Sequence, residues 1–267
     1  MLRDAIVLFL KKTKRGSWDP IGTGTLVFFN GALRIVSAAH VFESLGTGRI
    51  YIWAAEKIFF LGRFQRLLSD IRPFGGSRSN DPVDLGVMPV PEHVFKHING
   101  HVKFIQREFV EDDEKSKHVI AYQAIGFPAS KNRQQAERAF AKSALFTPEC
   151  LVSSGNDVTL ELLMDGKYNP LIHLAIRFRQ KGNFDDDSNL IDAPGPHGMS
   201  GGLIQGCFDY IPHSNGFYPT CASAILIERL PDLNALVGVR MSFVYAWMDH
   251  HSDIIKELQS HIDMSID

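Results

Sequence analysis

The chain has 267 residues, 45% of them hydrophobic and 22% charged, with three cysteines. That composition excludes a disordered tail, a collagen-like fibre and a small disulfide scaffold, and the length suits one large domain or two small ones. Lys and Arg number 28 against 30 Asp and Glu, a net charge of −2, so the chain has no general basic excess of the kind that nucleic-acid binders carry.

From the N-terminus, the apolar run 5–10 is shorter than a usual signal-peptide core and no small-residue cleavage site follows it. It reads instead as a strand. Further short segments at 23–29, 33–37, 50–54 and 83–90 are rich in Val, Ile, Phe and Leu and bounded by turn residues. A second series follows at 119–127, 139–146, 158–163, 172–178, 202–206, 222–227 and 236–242. Many short strands at this spacing predict an all-β barrel or sandwich. Between the two series, the charged run 111–117 (EDDEKSK) is expected to be a solvated connection. From Ser252, a candidate N-cap, Ile254, Ile255, Leu258 and Ile262 fall at helical spacing and predict a C-terminal helix.

No segment is long enough to span a bilayer and no Asn-x-Ser/Thr acceptor occurs. An odd number of cysteines, Cys150, Cys207 and Cys221, cannot all pair within one chain, and none has metal-type spacing. Reduced thiols and a cytoplasmic protein are therefore expected; whether Cys207 and Cys221 meet across a hairpin stays open.

The segment with the most chemical content is Gly195-Pro-His-Gly-Met-Ser-Gly-Gly202. Glycines let the backbone turn sharply around Ser200, expose its hydroxyl, and aim main-chain N–H groups at one spot, as an oxyanion requires. A serine is a poor nucleophile without a base, and the base needs an orienting group. His40 stands just past a strand–turn–strand, with small Ser37, Ala38 and Ala39 leaving room beside the imidazole. Asp84 opens the apolar segment Leu85 to Val90; Asp81, three residues earlier beside Pro82, is its local competitor. Singly, each has a bland reading, as a glycine-rich turn or as capping residues. Two other readings compete. Gly-x-Ser-x-Gly also matches the nucleophile elbow of α/β-hydrolase esterases, which would draw on Asp209, Asp232, His213, His250 or His251 after the serine, but the β-rich chain before it argues against that fold. The adjacent His250 and His251 read as a surface pair rather than a metal site. A non-catalytic peptide-binding module is the second functional class.

Taken together, these segments resemble the chymotrypsin-like (trypsin superfamily) serine proteases. The resemblance rests on Gly22-Thr-Gly-Thr-Leu-Val27, Val36-Ser-Ala-Ala-His-Val41, Asp84-Leu-Gly-Val and Gly198-Met-Ser-Gly-Gly202, in the order His, Asp, Ser, and covers residues 5–248. Gly126-Phe-Pro-Ala-Ser-Lys131 looks most like intracellular bacterial trypsin-like peptidases. The resemblance implies two packed antiparallel β-barrels, 1–110 and 111–248, closed by a C-terminal helix in 249–267, as one peptidase domain. It implies His40 as general base, Asp84 as its orienting group, Ser200 as nucleophile, and the N–H groups of Gly198 and Ser200 as oxyanion hole. It implies no cofactor and no metal, a protein or peptide substrate, a possible regulatory protein partner, and neither nucleic acid nor membrane.

The chain departs from the family in three places. The disulfides are missing, Met199 precedes the serine where many members have Asp, and Pro194 stands where an acidic pocket floor would be. Asp192 or the run 185–187 could supply an acid instead, but no strong preference for Lys or Arg is expected. Activation by a freed N-terminus is not expected either, because Met199 offers no carboxylate. Residues 2–10 read as an ordinary strand with no pro-segment ahead of it, leaving loop 193–200 to be ordered by local packing or by a partner.

Overall fold

Continuous apolar runs are buried on both faces. Ile6 to Leu10, all five buried, lie in the middle of a sheet, as a run without polar alternation requires. The structure is a computed structural model and describes residues 2–46, 48–62, 65–70, 81–159, 167–178, 183–184, 190–191, 197–208 and 220–264. In chain order the elements are β1 (Ile6–Lys12), β2 (Trp18–Phe29), β3 (Ala32–Ala38), α1 (Ala39–Leu45), β4 (Ile50–Ala54), β5 (Lys57–Gly62), β6 (Leu67–Leu68), β7 (Leu85–Pro89) and α2 (Glu92–Ile98). They continue with α3 (Asp113–Ser116), β8 (Val119–Gly126), α4 (Ala129–Ala141), β9 (Leu151–Gly155), β10 (His173–Arg177), β11 (Asn183–Phe184), β12 (Leu190–Ile191), β13 (Leu203–Phe208), β14 (Thr220–Leu230), β15 (Ala235–Arg240), α5 (Met241–His250) and α6 (Ser252–Met264).

The first sheet has seven strands in the order β5-β4-β1-β2-β3-β7-β6, and the second has six in the order β10-β15-β14-β13-β8-β9. All their ladders are antiparallel. The second sheet closes on itself: beyond β9, the Arg177 N–H donates to the Asn156 carbonyl at 2.8 Å and the Val158 N–H to the Ala175 carbonyl at 2.9 Å. Such closure removes the exposed strand edges that an open sheet would leave. The connection at 111–117 runs between the sheets as expected, though it holds a helical turn, α3, capped by Asp112. After β15, α5 returns to the first sheet, where the Tyr245 hydroxyl donates to the Ile105 carbonyl at 3.0 Å.

Three expectations about elements need correction. Residues 139–146 are not a strand: they include the last turn of α4 and a turn, with Phe140 and Leu145 exposed. Residues 158–163 form no strand where described, since Val158 makes one cross-link to β10 and a 3-10 turn starts at Thr159, while 160–163 lie outside the described residues. The segment 236–242 splits, because the strand ends at Arg240 and α5 begins at Met241.

Candidate active site

Register places His40 beside Asp84. β3 and β7 pair with Ala38 opposite Leu85, so the residue that follows β3 and the residue that precedes β7 lie side by side. The Ala39 N–H donates to the Asp84 carbonyl at 2.7 Å, and α1 begins there, presenting His40 from its first turn. The His40 N–H donates to Asp84 Oδ1 at 3.0 Å, and the imidazole Nδ1 lies 2.5 Å from Asp84 Oδ2. With Nδ1–H donating to the carboxylate, Nε2 is left as the basic nitrogen. The side chain of His40 is 43% exposed and that of Asp84 only 11%. Burial pushes the Asp84 carboxyl above its ordinary value, opposed by its bonds to His40. Asp84 sits at φ +42°, a left-handed conformation that Asp accepts more readily than most residues.

Asp81 is occupied elsewhere. Its Oδ1 accepts the Val83 N–H at 3.0 Å and its Oδ2 accepts the Ser69 hydroxyl at 2.9 Å, while Ser69 Oγ in turn accepts the Leu85 N–H at 2.8 Å. Asp81 therefore shapes the turn that presents Asp84.

The serine loop belongs to the second sheet but is fastened to the first. On β2, Thr23 and Thr25 fall two apart and share a face. The Thr23 hydroxyl donates to the Gly198 carbonyl and the Thr25 hydroxyl to the Gly201 carbonyl, both at 3.0 Å, and the Thr23 N–H donates to the Ser200 carbonyl at 3.1 Å. The Ser37 hydroxyl donates to the Thr23 carbonyl at 2.7 Å. Gly201 has φ +87°, and a Cβ there would come within 2.0 Å of Ser37 Oγ, so no larger residue fits. Met199 is fully buried against Gly126, filling an apolar site. Among the described residues, neither the Gly198 nor the Ser200 N–H has an acceptor, leaving two main-chain donors beside the serine hydroxyl.

Ser200, His40 and His197 line one cavity of about 350 Å³ with Leu226, Ile227, Glu228, Arg229 and Leu236. No hydrogen bond joins His40 to Ser200 among the described residues; in unliganded sites such bonds are often long. The pairing of β13 with β14 ends at Leu203 opposite Ile225, and Leu226 is then held by Gly201 and Gly202. Beyond it, one edge of β14 at 227–230 has no strand partner among the described residues. Glu228, on this stretch, accepts from Lys167 at 2.8 Å and from the Tyr168 hydroxyl.

The elbow alternative fails on local structure, because the segment after Ser200 leads into strand β13 and not into a helix. Asp232 and His250 are exposed, and they and His251 lie outside the Ser200 cavity; the His250 and His251 rings meet edge to face at 4.8 Å. Asp192, Pro194, Asp209, His213 and the run 185–187 fall outside the described residues. Among the described residues no group of His, Cys, Asp and Glu could hold a metal ion, and no helix is long and apolar enough to cross a membrane. Sequence reasoning missed Thr23, Thr25 and Ser69; only the alternation of Thr23 and Thr25 carried a signal.

No protein-family model and no curated protein matches the chain. Among solved structures, it is similar to the serine protease domain of the Sesbania mosaic virus polyprotein, with 13% identity, 92% of each chain covered and a TM-score of 0.50. It is also similar to tobacco etch virus protease complexed with product, at 10% identity over 94% of this chain and 79% of that one, with a TM-score of 0.46. Both are viral, whereas the sequence resemblance points to bacterial peptidases. At these identities the likeness speaks of the fold alone. The fold of the chain is that of the chymotrypsin-like serine proteases.

Proposed function

We propose that the chain is a serine endopeptidase. The observation that carries this reading is the His40–Asp84 pair, which opens onto the cavity lined by Ser200. His40 Nε2 takes the proton from Ser200 Oγ as that oxygen attacks the scissile carbonyl carbon. The Asp84 carboxylate holds the Nδ1–H tautomer and stabilises the imidazolium that forms. The N–H groups of Gly198 and Ser200, which have no acceptor among the described residues, receive the developing oxyanion. Collapse of the tetrahedral species expels the amine, protonated by His40, and leaves an acyl ester on Ser200. Water, deprotonated by His40, then attacks the ester and frees the carboxylic acid. These steps call on no cofactor.

The substrate is an extended peptide segment that adds to the open edge of β14 at 227–230 as a further strand. Residues 1–110 would supply the base and acid and 111–248 the nucleophile, with 249–267 as a strap. Three free thiols suit a reducing, cytoplasmic setting, where restricted specificity or a regulatory partner would protect the host.

The test is covalent labelling by a fluorophosphonate probe, with Ser200→Ala as control. Labelling of the wild type alone supports the enzyme; a wild type that never labels makes the chain a binding module. Cut sites profiled in a lysate would then define the substrate.

A further inference from the structure

The oxyanion-binding peptide needs something to hold its orientation, and the neutral Met199 excludes a carboxylate at the position before the nucleophile. We infer that the first N–H of α4 holds it, with Ala129 as a positioning residue; the inference rests on the protease reading above. The Ala129 N–H donates to the His197 carbonyl at 2.8 Å. In a planar trans peptide the C=O and the following N–H point in opposite directions, and no cis peptide occurs among the described residues. Tying the His197 carbonyl to α4 therefore turns the Gly198 N–H the other way, away from the helix. That N–H is one of the two donors beside Ser200 that find no acceptor among the described residues.

The helix has this donor to spare. The first N–H groups of any α-helix lack intrahelical partners, and α4 starts at Ala129 with Pro128 as an N-cap that makes no side-chain cap bond. The first intrahelical bond is from the Asn132 N–H to the Pro128 carbonyl. The positive end of the helix dipole adds to the attraction for a carbonyl oxygen. The end of the helix is itself fixed. Asn132, fully buried, donates from Nδ2 to the Pro128 carbonyl at 2.8 Å and the Glu149 carbonyl at 2.9 Å, and accepts the Glu149 N–H at 2.8 Å.

Sterics act in the same direction. Gly198 has φ +92°, and a Cβ on it would come within 2.5 Å of both the nitrogen and the Cβ of Ala129. Flipping the His197–Gly198 peptide would break the bond and set the Gly198 N–H against the Ala129 N–H, donor facing donor. One backbone bond thus biases a two-position peptide toward the orientation that binds an oxyanion, without any inserted ammonium.

The test compares Ala129→Pro with Ala129→Gly. Proline is accepted at the first position of a helix, and Pro128 already has the extended conformation (ψ 122°) that must precede one. Ala129→Pro therefore removes the donor, while Ala129→Gly keeps it. The readouts are the rate of fluorophosphonate labelling at Ser200, its pH midpoint and the thermal midpoint. Loss of one oxyanion donor typically costs about 10²–10³-fold. Ala129→Pro should label slower by that factor with an unchanged pH midpoint, and Ala129→Gly should stay within about threefold. Equal rates for wild type and Ala129→Pro, or equal losses in both variants, overturn the inference. Amide hydrogen exchange in the wild type gives an answer that needs no variant: the N–H of buried Ala129 should be protected while that of Ser130, exposed in the same turn, is not. Equal exchange at the two would overturn the inference as well. A wild type that never labels overturns the protease reading itself.

Discussion

His173 of β10 reaches across from the second sheet to the turn that carries Asp84: its Nε2 lies 2.7 Å from the carbonyl oxygen of Pro82. His173 Nδ1 lies 3.0 Å from both the N–H and the carbonyl oxygen of Asn169; with the proton on Nε2, Nε2 donates to Pro82 and Nδ1 accepts the Asn169 N–H. Burial lowers the His173 pKa against the opposing pull of its contacts with the Pro82 and Asn169 carbonyls, and the positive charges of Arg240 and Lys167 add to the lowering.

A group with a depressed folded pKa gives stability that is full above the unfolded value, about 6.5 for His, and is lost as pH falls below it. Acid should therefore cost stability, because the buried ring would have to take up a charge. Wild-type stability, followed by denaturant midpoints from pH 7.5 downward, should fall below about pH 6.5 more steeply than that of His173→Gln. Parallel curves for the two proteins would refute this assignment.

Asp84→Asn separates activity from stability. Asn accepts the same left-handed φ, so the turn should survive. Turnover should fall by about 10⁴-fold, as expected when the imidazole tautomer is no longer fixed. Stability should move the other way. Because the folded Asp84 pKa is raised, its contribution is full below the unfolded value of about 4 and declines as pH rises through the folded one. At pH 7–8 Asp84→Asn should be as stable as wild type or more so, and its relative advantage should shrink toward pH 4. A variant markedly less stable at pH 8 would contradict the sign.

Thr23→Val tests the fastening of the serine loop. The Thr23 hydroxyl donates to the Gly198 carbonyl and accepts the Phe127 N–H at 2.9 Å, both buried. Removing it leaves two buried main-chain groups unpaired, at about 1–3 kcal/mol each. The expected result is a thermal midpoint lower by several degrees together with slower labelling of Ser200. An unchanged midpoint would show that water replaces the hydroxyl without loss.

The thiols should be inert. Cys221 sits on β14 opposite Gly206, one residue out of line with Cys207, and burial pushes its thiol up to about 11. Burial also raises the Cys207 thiol. At pH 8 iodoacetamide should modify neither at the rate of a free thiol until the protein unfolds, and dithiothreitol should not shift the melting temperature. A drop of many degrees in reductant would mean that a disulfide forms in solution.

The candidate site residues were legible because a site of the proposed kind needs unusual types in fixed local settings: a serine among glycines, and a histidine after small residues at a strand end. The β core was legible where burial on both faces forces unbroken apolar runs, as in β1. Helices were harder. In α5, Met241, Val244, Tyr245, Trp247 and Met248 are all buried, so little polar periodicity distinguishes it from the strand before it. Near the end of α4 the apolar letters misled in the opposite sense: Phe140 and Leu145, 52% and 94% exposed, are not core at all. Contacts such as Thr23 with Gly198, Ala129 with His197 and His173 with Pro82 join segments far apart in the chain, and nothing in either segment alone announces them.

Because β2 of one sheet holds the serine loop of the other, the crevice between His40 and Ser200 has no existence within either sheet alone. Fewer strand contacts cross this seam than run within either sheet, and regions of low local stability yield first. Warming should therefore part the sheets before it melts either of them. Inactivation by heat would then be a reversible misalignment well below the unfolding transition, and a peptide bridging the seam would act as a clasp that protects the site it occupies.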